Sequence, residues 1–88
     1  MSTLAEKEKV LFEPSAKKVT FINGFLCLYL ADGREIRVPL EFYPRLKRAT
    51  KKQREKYEIF GLGTGIHWSE LDEDLSVEGI VEGLPSRF

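Results

Sequence analysis

Any chemistry in this chain concentrates between Gly61 and Ser76, where "GLGTGIHWSELDEDLS" holds three alternating glycines, the single histidine, the single tryptophan and four acidic residues. Three kinds of site could use such residues. A glycine-rich loop cradles phosphate when its amides converge at the N-terminus of a helix that follows a strand. Gly61, Gly63 and Gly65 spell GxGxG instead, and the "IHW" after them reads as strand. The expectation is therefore a bent or bulged strand whose backbone passes close to its neighbours. A histidine and carboxylates hold a metal when they converge, commonly at i, i+3 or i+4 on one helix. His67 and Asp72 are separated by a loop, there is no second histidine, and the consecutive Asp72, Glu73 and Asp74 cannot all point one way. The acids read as helix entry, where a carboxylate caps the first amides and suits the helix dipole.

Nucleophilic catalysis fits less well. Cys27 stands mid-strand among apolar neighbours, where a thiol is usually inert packing. Ser69 beside His67 is not a nucleophile elbow. General acid–base chemistry needs a selected pair of carboxylates, and no spacing here selects one. The expectation is a non-enzyme with no catalytic residues, no cofactor and no metal. His67 and Trp68 remain as a candidate site without an assigned role.

The basic stretch "RLKRATKKQREK" is the other chemical feature. Arg45 to Lys56 holds seven basic residues against Glu55, net +6, whereas Ile66 to Phe88 holds six acidic residues against Arg87, net −5. Such asymmetry implies two faces of opposite sign or two segments that neutralise each other. If the stretch were one helix, Arg48, Lys51, Lys52 and Lys56 would share a face able to meet phosphate in a salt-sensitive way. With no evident recognition helix, base readout is not supported.

Positioning these residues requires a sheet and helices. "KKVTFINGFLCLYLADGREIRVPL" carries Asn23-Gly24 and Asp32-Gly33 between β-rich runs, the mark of hairpin turns. Three antiparallel strands follow: Lys18–Ile22, Phe25–Leu30 and Arg34–Leu40. A three-residue loop Ala31-Asp32-Gly33, with Gly33 left-handed, pairs Leu28 with Ile36 and Leu26 with Val38. That register gathers the aliphatic residues on one face, so burial selects it. Phe25, Cys27 and Tyr29 then share the opposite face with Glu35 and Arg37, too apolar to be fully wet. Pro44 suits the first position of a short helix. "TKKQ" matches a capping box that starts a second helix over roughly Lys51 to Tyr57. "YEIFGLGTGIHW" offers a glycine-interrupted fourth strand. Val77, Ile80, Val81 and Leu84 share one helical face, capped by Asp74 or Ser76 and stopped at Gly83-Leu84-Pro85.

The bulk numbers agree with one small domain. Eighty-eight residues, 42% hydrophobic and 32% charged, suit an ordinary globular chain with a small core. We expect a flexible tail over residues 1–12 and a single α+β domain over 13–88. One cysteine excludes an intramolecular disulfide framework and suits the cytoplasm. The longest apolar run, "FLCLYLA", is too short to span a bilayer, and "MSTLAEKEK" has no signal-peptide core.

"LADGREIRVPLEFYPRL", "AT…QR" and "GIHWSELDEDLSVEGIVEG", in that order, resemble the bacterial family called domain of unknown function 2442, from about Val19 to Gly83. The resemblance implies a small α+β domain without an established activity. It also implies that some relatives carry a fused helix-turn-helix domain, and that others are encoded beside a small protein in a toxin–antitoxin-like layout. With the chain ending at Phe88, no helix-turn-helix is expected here. The family defines no catalytic residues to carry over.

The reading is an α+β fold: an antiparallel three- to four-stranded meander, a basic helical segment over 45–56 and a C-terminal helix. Its expected work is protein association, with a protein partner or as a homo-oligomer, through Phe25, Tyr29, Arg37, Arg48, Lys51 and Lys52. Nucleic-acid binding through 45–56 is the less favoured alternative, and no membrane role is expected.

Overall fold

Two short turns decide the first half of the structure. In the computed structural model, which describes residues 14–84, β1 (Ala16–Ile22), β2 (Phe25–Leu30) and β3 (Glu35–Pro39) form an antiparallel meander in the order β1-β2-β3. Asn23 and Gly24 have φ of 49° and 82°, the mirror-image turn whose twist matches its flanking strands. At the second turn Gly33 sits at φ 96°, and Leu28 pairs with Ile36 and Leu26 with Val38. This is the three-residue loop and register that burial of the aliphatic face requires. Asp32 fixes the loop by accepting from the Arg34 amide at 3.0 Å and from its guanidinium at 2.8 Å.

A single turn of 3₁₀-helix over Leu40–Phe42 leads into α1 (Pro44–Arg48), which has proline in its first turn as expected. The basic segment is then broken. Thr50 caps α2 (Lys51–Glu55) with a complete capping box: the Gln53 amide donates to Thr50 Oγ1 at 3.1 Å and the Thr50 amide donates to Gln53 Oε1 at 2.9 Å. The cations of 45–56 are therefore divided between two short helices and Lys56 just after the second, not carried on one continuous helix.

The second half differs from expectation. The stretch read as one glycine-interrupted strand is two, β4 (Glu58–Phe60) and β5 (Gly65–Trp68), joined by a tight turn over Gly61–Gly63. The acids read as helix entry lie around and within a third strand, β6 (Glu73–Ser76), completing a second antiparallel meander in the order β4-β5-β6. Ser76, not Asp74, caps α3 (Val77–Glu82), accepting from the Gly79 amide at 2.9 Å. Gly83 closes that helix at φ 75°, with Leu84 N–H on Gly79 C=O and Gly83 N–H on Ile80 C=O, the Schellman pattern. Val77 and Ile80 are buried, but the turn at Gly83 leaves Leu84 exposed, against the expected four-residue face.

One hydrophobic cluster joins the two meanders. It holds Val19, Leu26, Leu28 and Val38 from the first, Ile66 and Trp68 from the second, and Leu46, Val77 and Ile80 from the helices. No helix among the described residues is long and apolar enough to cross a membrane. The tail expected over 1–12 lies outside the described residues.

Candidate functional site

Gly61 and Gly63 shape a turn and Gly65 opens a strand, so no helix N-terminus follows them to make a phosphate cradle. Gly61, Leu62 and Gly63 all have positive φ, at 60°, 58° and 89°. A β-carbon on Gly63 would stand 2.2 Å from Ser15 Oγ and 3.0 Å from the Ala16 backbone, so glycine there lets the turn pack on the start of β1. Ser15 Oγ donates to the Leu62 carbonyl at 2.9 Å, and Thr64 Oγ1 donates to the Gly61 carbonyl at 2.7 Å. Gly65 has another reason: a β-carbon on it would stand 2.4 Å from the ring of Phe60, its cross-strand partner. Leu62, held left-handed at the tip, is 96% exposed, and Phe60 beside it is 50% exposed.

The pleat of the second meander sorts the acidic cluster. Side chains alternate along a strand, so Trp68 and its partner Glu73 face the core while His67 and its partner Asp74 face outward. Glu73 is 2% exposed, whereas Asp72 and Asp74 are exposed. Only Asp74 meets His67, through Oδ1 and Nδ1. The described residues contain no group of three or more metal-ligating side chains.

Trp68 is a core aromatic. Fully buried, it packs edge-on against Phe21 and tilted against Tyr57, each at 6.3 Å between centroids, and its Nε1–H donates to the Arg54 carbonyl at 3.0 Å. A buried indole stabilises a fold when that donor is satisfied, as it is here.

One buried polar pair was not anticipated. Tyr43 is 1% exposed and its Oη has no hydrogen-bond partner among the described residues. Burial, and then the nearby Glu73 carboxylate, push its pKa up to about 12. Arg45, two residues on, donates to the Asp72 carbonyl and ties α1 to the same strand entry. The signal for Glu73 was present as the alternation Leu71, Glu73, Leu75, which is the period of a strand; nothing local marked Tyr43.

Geometry also sorts the cations. Lys47 pairs with Glu41 at 3.2 Å and Lys56 with Glu70 at 2.8 Å. Arg54 is structural: its Nε and Nη2 each donate at 2.8 Å, to the carbonyls of Leu46 and Lys47 at the end of α1, and its guanidinium lies 5.8 Å over Phe21. Arg48, Lys51 and Lys52 make no ion pair among the described residues. Lys51 and Arg54 overhang a groove of about 460 Å³ that runs along Val19, Phe21 and Tyr57 at the outer edge of β1. The remaining candidates lie elsewhere, on the face of the first sheet that Phe25 and Tyr29 share. Phe25 is exposed there, Tyr29 lies under the Lys18 ammonium at 5.8 Å, and Arg37 pairs with Glu35 at 3.1 Å. The six residues expected to form the interaction surface are thus divided between that sheet face and the two short helices.

Two meanders packed through one small core, with polar groups committed to caps and cross-links, define a class of small α+β domain. The family model described as "Protein of unknown function (DUF2442)" matches residues 16–86, and the chain belongs to that family. It is similar to a protein of unknown function from Rhodospirillum rubrum, known by crystal structure, with 32% identity, a TM-score of 0.73, and coverage of 84% of this chain and 92% of the other. It is also similar to an uncharacterized protein from Chromobacterium violaceum, known by solution NMR, with 25% identity, a TM-score of 0.71, and coverage of 97% and 79%. No curated protein matches significantly.

Proposed function

We propose that the chain is a non-catalytic protein-interaction module, acting as an antitoxin-like or regulatory partner of a small neighbouring protein. The observation that carries this reading is Leu62. A left-handed backbone costs a residue with a β-carbon about 1–2 kcal/mol, and asparagine or glycine would avoid most of it. A side chain 96% exposed recovers none of that cost through burial in its own chain. Together with half-exposed Phe60 it makes an apolar knob on a hairpin braced by Ser15 and Thr64. Strain held in this way, at an exposed apolar tip, fits a contact completed by a partner. A cytoplasmic location goes with this reading, since the lone Cys27 is buried as a free thiol.

The test is co-expression with the product of the neighbouring gene. Leu62→Asn relieves the backbone and removes the knob, so the variant stays folded while capture of that product falls at least tenfold. Undiminished capture by the variant, or a clean monomer from the natural sequence, counts against the reading.

A second reading rests on Arg48, Lys51 and Lys52, the cations left without acidic partners: accessory binding of nucleic acid. It predicts binding that collapses between low and moderate salt and disappears on charge reversal at Lys51 and Lys52. Arg54 is left out of that variant because it holds the end of α1.

A further inference from the structure

We infer that the outer edge of β1 receives an extended, acidic segment of a partner protein, laid along the groove between β1 and α2. The inference rests on the interaction-module reading and gives that module a second contact, apart from the Leu62 knob.

The hydrogen-bond phase of the first hairpin carries the argument. A two-residue turn makes its flanking residues a hydrogen-bonded pair, and such pairs then alternate along the ladder. Ile22–Phe25, Thr20–Cys27 and Lys18–Tyr29 are therefore the bonded pairs, and Val19 and Phe21 turn their N–H and C=O groups away from β2. The Val19 amide agrees with this phase, donating outward to Tyr57 Oη at 3.2 Å. Among the described residues the Val19 carbonyl and both backbone groups of Phe21 have no backbone partner beyond the sheet, both residues line the groove, and β1 is an edge strand with no described strand on that side. Such a row of backbone groups is a template for an added strand.

The lining selects what is added. Val19, Phe21 and Tyr57 give the groove an apolar side, and Thr20, Lys51, Arg54 and Glu55 line the rest of it. Lys51 makes no ion pair among the described residues. Arg54 is clamped in place by the two carbonyls of α1, so its charge is fixed over the groove. Tyr57 accepts from Val19 and keeps its own O–H to donate. This surplus of donors suits a carboxylate-bearing peptide whose alternate side chains meet the apolar side. A second copy of this chain fits less well, because edge-to-edge pairing about a two-fold brings each basic side against its own image. Nucleic acid fits less well too, because a strand edge of N–H and C=O groups pairs with a peptide backbone and not with a sugar–phosphate one.

The experiment is amide-resolved NMR of the isotopically labelled protein with two capped synthetic heptapeptides, one alternating glutamate and valine, the other lysine and valine. The glutamate peptide should shift the amides of Val19 to Phe21 and of Lys51 to Glu55, and slow exchange of the Phe21 amide at least tenfold at saturation. Lys51→Glu, at an exposed position, should weaken that peptide at least tenfold and favour the lysine peptide. Equal binding of the two peptides, shifts confined to other elements, or stronger shifts of the same amides by a single-stranded oligonucleotide would overturn the inference. The neighbouring-gene co-expression separates the two readings. Capture lost in Leu62→Asn but retained in Lys51→Glu, with no peptide shifts, removes the groove and leaves the module. Loss of capture in the natural sequence removes the module itself.

Discussion

The indole N–H of Trp68 donates to the backbone carbonyl of Arg54 while the side chain of Arg54 donates to two carbonyls at the end of α1. One arginine thereby joins a core aromatic of the second sheet to a helix that follows the first. Lysine cannot reproduce its fork, which makes Arg54→Lys a non-conservative change. We expect Arg54→Lys to destabilise the fold by about 1–3 kcal/mol, from two lost hydrogen bonds to a charged donor and the bared carbonyls they leave. Urea denaturation should show this, with Lys52→Gln, an exposed change on the same helix, within about 0.5 kcal/mol of the natural chain.

Tyr43 gives a pH signature. Its pKa is raised in the folded protein, to about 12, so the folded state holds this proton more tightly than the unfolded state does. The associated stability is fully present below pH 10 and is lost as pH rises toward 12. That rise corresponds to roughly 2–3 kcal/mol over that window. Tyr43→Phe should flatten this part of the stability–pH curve. At pH 7 the same variant should be as stable as the natural chain, or more stable by about 1 kcal/mol, because it removes a buried hydroxyl that lacks a partner.

His67→Ala should cost less than about 1 kcal/mol, because its hydrogen bond with Asp74 lies on the solvent side of its sheet, where polar side-chain pairs contribute little. A thermal melt distinguishes this from a core role, which would lower the midpoint by many degrees. The contrast with Trp68→Phe is informative: that change removes a satisfied buried donor and aromatic volume, and should cost about 2 kcal/mol or more.

Gly65→Ala should destabilise the fold although it adds only a methyl group. The new methyl group would overlap the Phe60 ring, and Phe60 must leave its place over the strand. A loss of about 1–3 kcal/mol is expected from such overpacking. Combining Gly65→Ala with Phe60→Ala should recover part of that overlap cost, and a double-mutant cycle by chemical denaturation measures the recovery.

The first half of the fold was legible because its information is local. Turn dipeptides fixed the hairpins, and the burial of Leu26, Leu28, Ile36 and Val38 on one face left a single acceptable register. The Thr50 capping box was visible for the same reason. The second half was harder, because charge obscured periodicity: "ELDEDLS" has the composition of a helix entry, yet Glu73 lies inward because Leu71 and Leu75 do. That carboxylate lies near Tyr43, thirty residues upstream, and local composition says nothing about such a neighbour. The candidate surfaces followed the same division. Counting cations found Arg48, Lys51 and Lys52, but only the fold showed that Arg54 is engaged in holding the end of α1. Leu62 was invisible as a candidate, since its exposure comes from a backbone conformation that leucine seldom adopts.

The sheets are contiguous in sequence, the first closing within residues 16–39 and the second within 58–76. Each can therefore form with short loops to close, and the entropic toll of bringing distant segments together falls on one late event, the docking of the two halves through Trp68. Folding should be fast for a protein of this strand content. Substitutions at the docking contact should act chiefly on the rate of unfolding, whereas changes in the Asn23-Gly24 hairpin should slow folding itself. A chevron plot would separate them. The same architecture makes the joint between the sheets the seam along which the molecule first comes apart.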